Sequence, residues 1–154
     1  MIHLSFELPI VGSPWRDTWD RATQVNPAVI SEMDLCYEYF GVRAEFVADG
    51  VEVISGEGCV TLVDLALSLR HALNRLSSGE DSAIGFTEND EVIRLGYGGD
   101  RVVIASSKHE WRVSVDREEL LGAFFEFLRE VYRHLTEFIP ALADNPVIWG
   151  LSPE

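Results

Sequence analysis

The chain predicts an α+β fold, an antiparallel sheet of about six to seven strands with two long amphipathic helices packed on it, in the order β-(α)-ββ-α-ββββ-α. Three observations predict it. Apolar residues alternate with period two near the N-terminus and again from Leu35 to Ile54. Apolar stripes with helical spacing run through 62–76 and 120–139, and between them lie four short apolar runs separated by turn residues. With 154 residues, 47% of them hydrophobic and including eight Phe, four Tyr and four Trp, the chain can fill one core but not two good ones, so residues 1–154 are expected to form a single globular domain.

Each element has a local reason. Ile2, Leu4, Phe6 and Leu8 share one side of an alternating run that Pro9 stops. Ser13-Pro14 is an N-cap followed by proline at the first helical position. Trp15, Trp19 and Ala22 then fall on one face of a short helix that ends before Asn26-Pro27. Phe40, Val42, Ala44 and Phe46 point one way and Gly41, Arg43 and Glu45 the other. Ala48-Asp49-Gly50 is a hairpin turn, and Val51, Val53 and Ser55 continue the alternation on the return strand. Thr61 and Asp64 form a capping pair for the first long helix. Its stripe is Leu62, Leu65, Ala66, Leu69, Ala72, Leu73 and Leu76, with Asp64, Ser68, His71 and Arg75 on the wet side, and Ser77-Ser78-Gly79 ends it. Strands are expected at about 82–88, 91–97, 101–106 and 110–115, a meander of sequential hairpins. Asp116-Arg117-Glu118-Glu119 caps the longest helix, whose broad apolar arc from Leu120 to Ile139 belongs at the centre of the core, and Pro140 ends or kinks it. The tail holding Asn145-Pro146-Val147-Ile148-Trp149 is apolar enough to dock back on the body.

Charge narrows the function. Twenty-six acidic residues face twelve basic ones, for a formal net charge of −14. The excess is spread along the chain and is greatest in residues 1–60, where ten acids meet three arginines, so it belongs to a folded acidic surface and not to a disordered tail. Such a field repels nucleic acid and anionic membranes and attracts basic partners. Eleven of the twelve basic residues are Arg, which fits a GC-rich, bacterial coding sequence. The N-terminus lacks a basic leader segment, no run is long and apolar enough to span a membrane, and Cys36 and Cys59 sit in apolar runs as reduced thiols would, so a cytoplasmic protein is expected.

Catalytic and cofactor chemistry is not legible. Gly96-Tyr97-Gly98-Gly99-Asp100 joins two strands and lacks the helix N-terminus and lysine that would cradle a phosphate. His3, His71, His109 and His134 are scattered without metal-ligand spacing, and no nucleophile elbow occurs. Glu126, Glu130 and Glu137 interleave with Arg129 and Arg133 as a solvated helix face. No catalytic, cofactor or metal residue is therefore assigned. The candidates are partner-binding ones. Trp15 and Trp19 are aromatic anchors ringed by Arg16, Asp17, Asp20 and Arg21, and Glu88, Asp90 and Glu91 form an acidic hairpin tip. The competing and simpler reading is that the short helix docks by its tryptophans onto the sheet's open edge or face.

In size, acidity and α+β layout the chain resembles the immunity proteins that neutralise bacterial polymorphic toxins. That resemblance implies a non-enzymatic, stoichiometric inhibitor that masks the basic surface of a protein partner such as a toxin or nuclease domain. The alternative is a small-molecule-binding or catalytic domain with a pocket between sheet and helices, lined by Tyr37, Tyr39, Phe86, Tyr97 and Trp111. That reading requires a concave site and at least one burial-shifted carboxyl or histidine.

Overall fold

The computed structural model describes residues 1–152. Its elements are β1 (Ile2–Glu7), α1 (Pro14–Ala22), α2 (Glu32–Tyr37), β2 (Gly41–Ala48), β3 (Val51–Ile54), β4 (Cys59–Thr61), α3 (Leu62–Ser77), β5 (Ser82–Ile84), β6 (Ile93–Gly98), β7 (Arg101–Ser106), β8 (Arg112–Asp116), α4 (Arg117–Phe138) and α5 (Pro146–Trp149), with 3₁₀ turns at Pro27–Val29 and Pro140–Asp144. Over the described residues the fold is α+β with antiparallel sheets and five helices.

The strands form two sheets where one had been expected. β1-β2-β3 makes the first, with β4 also paired to β2, and β5-β6-β7-β8 makes the second. The physical reason lies in β2, which is long enough to hold two short partners end to end. Its C-terminal half pairs β3 through the hairpin, and its N-terminal half pairs β4, Gly41 opposite Thr61 and Arg43 opposite Cys59. Helix α3 then starts directly from β4 and carries the chain away before the second meander begins. Apolar alternation reveals strands, but it does not say which edges meet.

Both sheets turn an apolar face to the helix pair α3–α4. From the first sheet come Val42, Ala44, Phe46 and Ala48, with Phe46 meeting Phe124 of α4 edge-on at 6.1 Å. From the second come Ile93, Leu95, Val102, Ile104 and Val115. The stripes of α3 and α4 fill the space between, with Leu62, Leu65, Leu69, Leu76, Phe124, Leu128, Val131 and Leu135 nearly or wholly excluded from water. Burial of this kind contributes about 1.5–3 kcal/mol per large side chain, which offsets the entropy of ordering the chain.

Several local details differ from expectation. Residues 35–37, read as the start of an alternating run, belong instead to α2, because Ser31 caps that helix by accepting from the Asp34 N–H at 3.2 Å and two acids occupy its first turn. The strand expected to 88 stops at Ile84, and the next residues turn back towards β4. Thr61 does not cap α3 with its side chain; its Oγ lies 3.2 Å from both the Thr87 hydroxyl and the Glu88 carboxylate. The Asp49-Gly50 turn has φ of 46° and 82°, the doubly positive geometry that matches strand twist in a two-residue hairpin. At the start of α4, Asp116 accepts from the Glu119 N–H at 2.9 Å.

Candidate functional site

The site begins with the polar half of the first sheet's alternation. The apolar residues of β1 and β2 face the helices, so His3, Ser5 and Glu7 of β1 and Arg43 and Glu45 of β2 face outward, where Ser5 lies opposite Glu45 and Glu7 opposite Arg43. Glu52 of β3 and Glu57 of the following turn join them. Together they line a groove of about 470 Å³ with four carboxylates, one guanidinium and one imidazole. His3 Nε2 stands 3.1 Å from the Glu45 carboxylate and 3.0 Å from the Ser5 hydroxyl. Like charges on neighbouring strands are mutually unfavourable, and an incoming cation relieves them.

The groove continues in two directions. Past Glu7 and Arg43 it runs into a small notch of about 130 Å³ bordered by Leu8, Ile10, Trp15, Val42 and Cys59. Past Glu52 and Ser55 it opens into a depression of about 330 Å³ that reaches Glu91, His109 and Trp111 on the second sheet's loops. The result is one band, acidic along its length, with an apolar end at Trp15 and an aromatic one at Trp111.

Trp15 is held at its end by a backbone device. Helix α1 grips Gly41 from both sides, since Thr18 Oγ1 accepts from the Gly41 N–H at 2.9 Å and Trp19 Nε1 donates to the Gly41 carbonyl at 2.8 Å. The Trp15 ring then lies directly over Gly41, where a Cβ would come within 2.2 Å of its Cε3. Only glycine lets the ring sit there. Phe40, just before it, takes φ of 62°, an uncommon conformation for an aromatic residue, and is held by its own complete burial and by the Leu62 N–H to its carbonyl at 3.0 Å.

The residues chosen from sequence separate on this surface. Trp15 is 38% exposed and borders the band, whereas Trp19 is 1% exposed and belongs to the core, so a partner cannot reach it. Asp17 and Asp20 are exposed but opposed by arginines of their own helix, Arg21 at 3.2 Å from Asp17 and Arg16 at 3.6 Å from Asp20. At the hairpin tip the acids point three ways. Glu88 turns to Thr61 and Thr87, Asp90 pairs with Lys108, and Glu91 accepts from the Ser106 hydroxyl at 2.6 Å and faces the band. Trp15 and Glu91 therefore mark opposite ends of one feature, and the other candidates lie off it. Glu7, Glu45, Glu52 and Glu57 were missed because they are dispersed in sequence. The signal was the outward half of the β1 and β2 alternation.

Of the aromatic residues expected to line an internal pocket, only Trp111 borders one of these depressions. Tyr37 and Tyr97 are exposed, and Tyr39 packs against Phe40 and under the Arg21 guanidinium. One burial-shifted carboxyl does exist. Asp64, expected on the wet face of α3, is half-buried, and desolvation together with the nearby Glu88 raises its pKa to about 6. None of the depressions reaches it. Burial likewise pushes the Cys36 thiol up to about 11, which keeps it protonated and unreactive. Among the described residues no group of three or more His, Cys, Asp or Glu side chains is placed to hold a metal ion, and no helix is long and apolar enough to cross a membrane.

The Asp64 shift has a measurable consequence. The folded protein holds this proton more tightly than the unfolded chain, whose Asp titrates near 3.8. Its contribution therefore favours folding fully below about pH 4 and is lost as pH rises through about 6. The difference between 3.8 and about 6 corresponds to at most ~3 kcal/mol, reduced to roughly 1–2 by the water that still reaches the side chain. Asp64→Asn is expected to raise Tm by about 3–6 °C at pH 8 and to leave it unchanged at pH 4. Thermal melts at the two pH values check this, and an equal effect at both would refute the linkage.

No protein-family model matches the chain, and no curated protein and no solved structure matches it.

Proposed function

We propose that this is a non-enzymatic acidic binding protein, a stoichiometric inhibitor of the immunity-protein kind, whose outward first-sheet face masks a basic toxin or nuclease surface. The band from Trp15 to Trp111 carries this reading. It offers Glu7, Glu45, Glu52, Glu57 and Glu91 along three adjoining depressions, joined through Glu7 and Arg43 on one side and Glu52 and Ser55 on the other, with an aromatic residue at each end. Carboxylates in a row raise the encounter rate with a basic surface and fix its register. The rings at either end supply rigid apolar area, which is where binding energy concentrates.

The test is capture from lysate of the source cells by the tagged protein, at low and moderate salt, beside the variant Glu45→Lys/Glu52→Lys. A single basic protein held near one-to-one is expected, with the double charge reversal weakening it at least about 100-fold, since two close charge pairs of ~1.5 kcal/mol each are replaced by repulsion. Inhibition of that protein's toxicity on co-expression completes the assignment. Retention that ignores both salt and the charge reversal, or retention of no basic protein, would sink it.

A further inference from the structure

Among the described residues the first sheet has no strand beyond β1, which pairs only with β2. The Asp49 N–H donates to the Met1 carbonyl at 2.9 Å, and hydrogen-bonded pairs alternate along an antiparallel ladder. His3, Ser5 and Glu7 thus direct their backbone groups to β2, while Ile2, Leu4 and Phe6 direct theirs away. The Ile2 N–H agrees, donating outward to the Glu119 carboxylate at 3.1 Å. No such acceptor meets Leu4 or Phe6 among the described residues. Their edge borders a groove of about 230 Å³ between β1 and α4, lined by Leu4, Phe6 and Phe127 and rimmed by Glu126, Glu130 and His134.

We propose that this groove receives an extended segment of the basic partner, which adds to the first sheet beside β1 as one more strand. The inference rests on the binding-protein reading and states how the partner is held. Leu4 and Phe6 offer two N–H and two C=O groups at the spacing of alternate residues, which a strand satisfies and a helix, with its own bonds closed internally, does not. The floor is apolar; on the α4 rim Glu126 and Glu130 are each met by an arginine of their own helix, Arg129 and Arg133, whereas Glu7 and Glu45 on the outer side have no arginine ion pair among the described residues. Side chains of an added strand alternate between the α4 side, over Leu4 and Phe127 between Glu126 and Glu130, and the outer side, towards Glu7 and Glu45. The segment that fits therefore alternates apolar and basic residues over about four to six positions. A second copy of β1 does not supply that pattern, because its polar positions are His3, Ser5 and Glu7, with no lysine or arginine among them.

The probe is a synthetic peptide, Lys-Val-Lys-Val-Lys-Val with blocked ends, titrated into the full chain and followed by amide resonances and hydrogen exchange. Its control is the blocked peptide Lys-Lys-Lys-Val-Val-Val, equal in charge and composition. The alternating peptide is expected to shift the Leu4 and Phe6 amides, to slow their exchange at least tenfold, and to bind at least tenfold tighter than the control. Leu4→Pro, which removes an outward N–H and no β2 bond, is expected to abolish that protection. Should this variant unfold, Glu126→Lys/Glu130→Lys, at one exposed and one half-buried position on the groove's rim, is expected to weaken the peptide at least tenfold. Response confined to Glu45 and Glu52 with both peptides alike would overturn strand addition and leave the acidic band standing. Absence of any response to either peptide would overturn strand addition too, and the capture experiment judges the binding-protein reading separately.

Discussion

Trp19→Ala is expected to cost about 3–5 kcal/mol of folding stability, while Trp15→Ala, one helical turn earlier, costs no more than about 1–2. The two residues have opposite duties. Trp19 is buried between Phe40 at 4.9 Å and Phe138 at 5.3 Å, both edge-on, and its indole N–H closes on the Gly41 carbonyl. Truncation leaves a ring-sized cavity and a carbonyl without its donor, a loss comparable with the lower end of the total stability of ordinary domains. Trp15 lies over Gly41 at the surface, so its loss uncovers apolar area but breaks no hydrogen bond of its side chain. Urea unfolding of both variants, with partner capture on Trp15→Ala, separates the duties. Comparable destabilisation by the two would contradict the assignment of Trp15 to the binding face.

Asn145→Ala is expected to cost about 2–4 kcal/mol, the second large effect, from a residue far from the band. Asn145 is fully buried. Its side-chain amide donates to the Pro27 carbonyl at 2.9 Å and the Ile30 carbonyl at 3.0 Å, and its oxygen accepts from the Val147 N–H at 2.9 Å, capping α5. Alanine leaves two carbonyls unpaired and removes the cap. Asn145→Asp is the informative companion, because it keeps the cap oxygen but sets a second oxygen against two carbonyls. Stability of the Asp variant close to wild type would show that the cap alone matters. Loss as large as that of the Ala variant, accompanied by faster amide exchange at 28–30, would show that the clamp on the segment between α1 and α2 dominates.

What could be read from the sequence follows what is local. The Asp49-Gly50 turn, the buried faces of β2 and α3, and the cap and span of α4 depend on neighbours within a few positions, and all appear where expected. The same holds for the ion-paired face of α4, where Arg129 meets Glu126 at 3.1 Å and Arg133 meets Glu137 at 3.2 Å. What escaped depends on the third dimension. β4 is three residues long, too short for periodicity to register, and it decides how the first sheet is completed. Asp64 sits on the polar side of its helix by spacing, yet the loop holding Thr87 and Glu88 folds over it. Trp15 and Trp19 share a stripe, and only the position of Gly41 beneath them decides which ring is sealed in. The acidic band needed strand register before Glu7, Glu45 and Glu52 could be recognised as neighbours.

The two sheets also differ in how they can be assembled. Every pairing in the second joins strands adjacent in the chain across short connections, from Ile84 opposite Ile93 to Ala105 opposite Arg112. β1 reaches β2 only after residues 8–40 have been looped out, and its other flank waits on α4, the last long helix to be made. Closing a long loop is entropically costlier than closing a hairpin, and contacts distant in sequence form late. β1 is therefore expected to join a structure already largely formed. The rim that is proposed to meet the partner is also the rim that folding is expected to complete last.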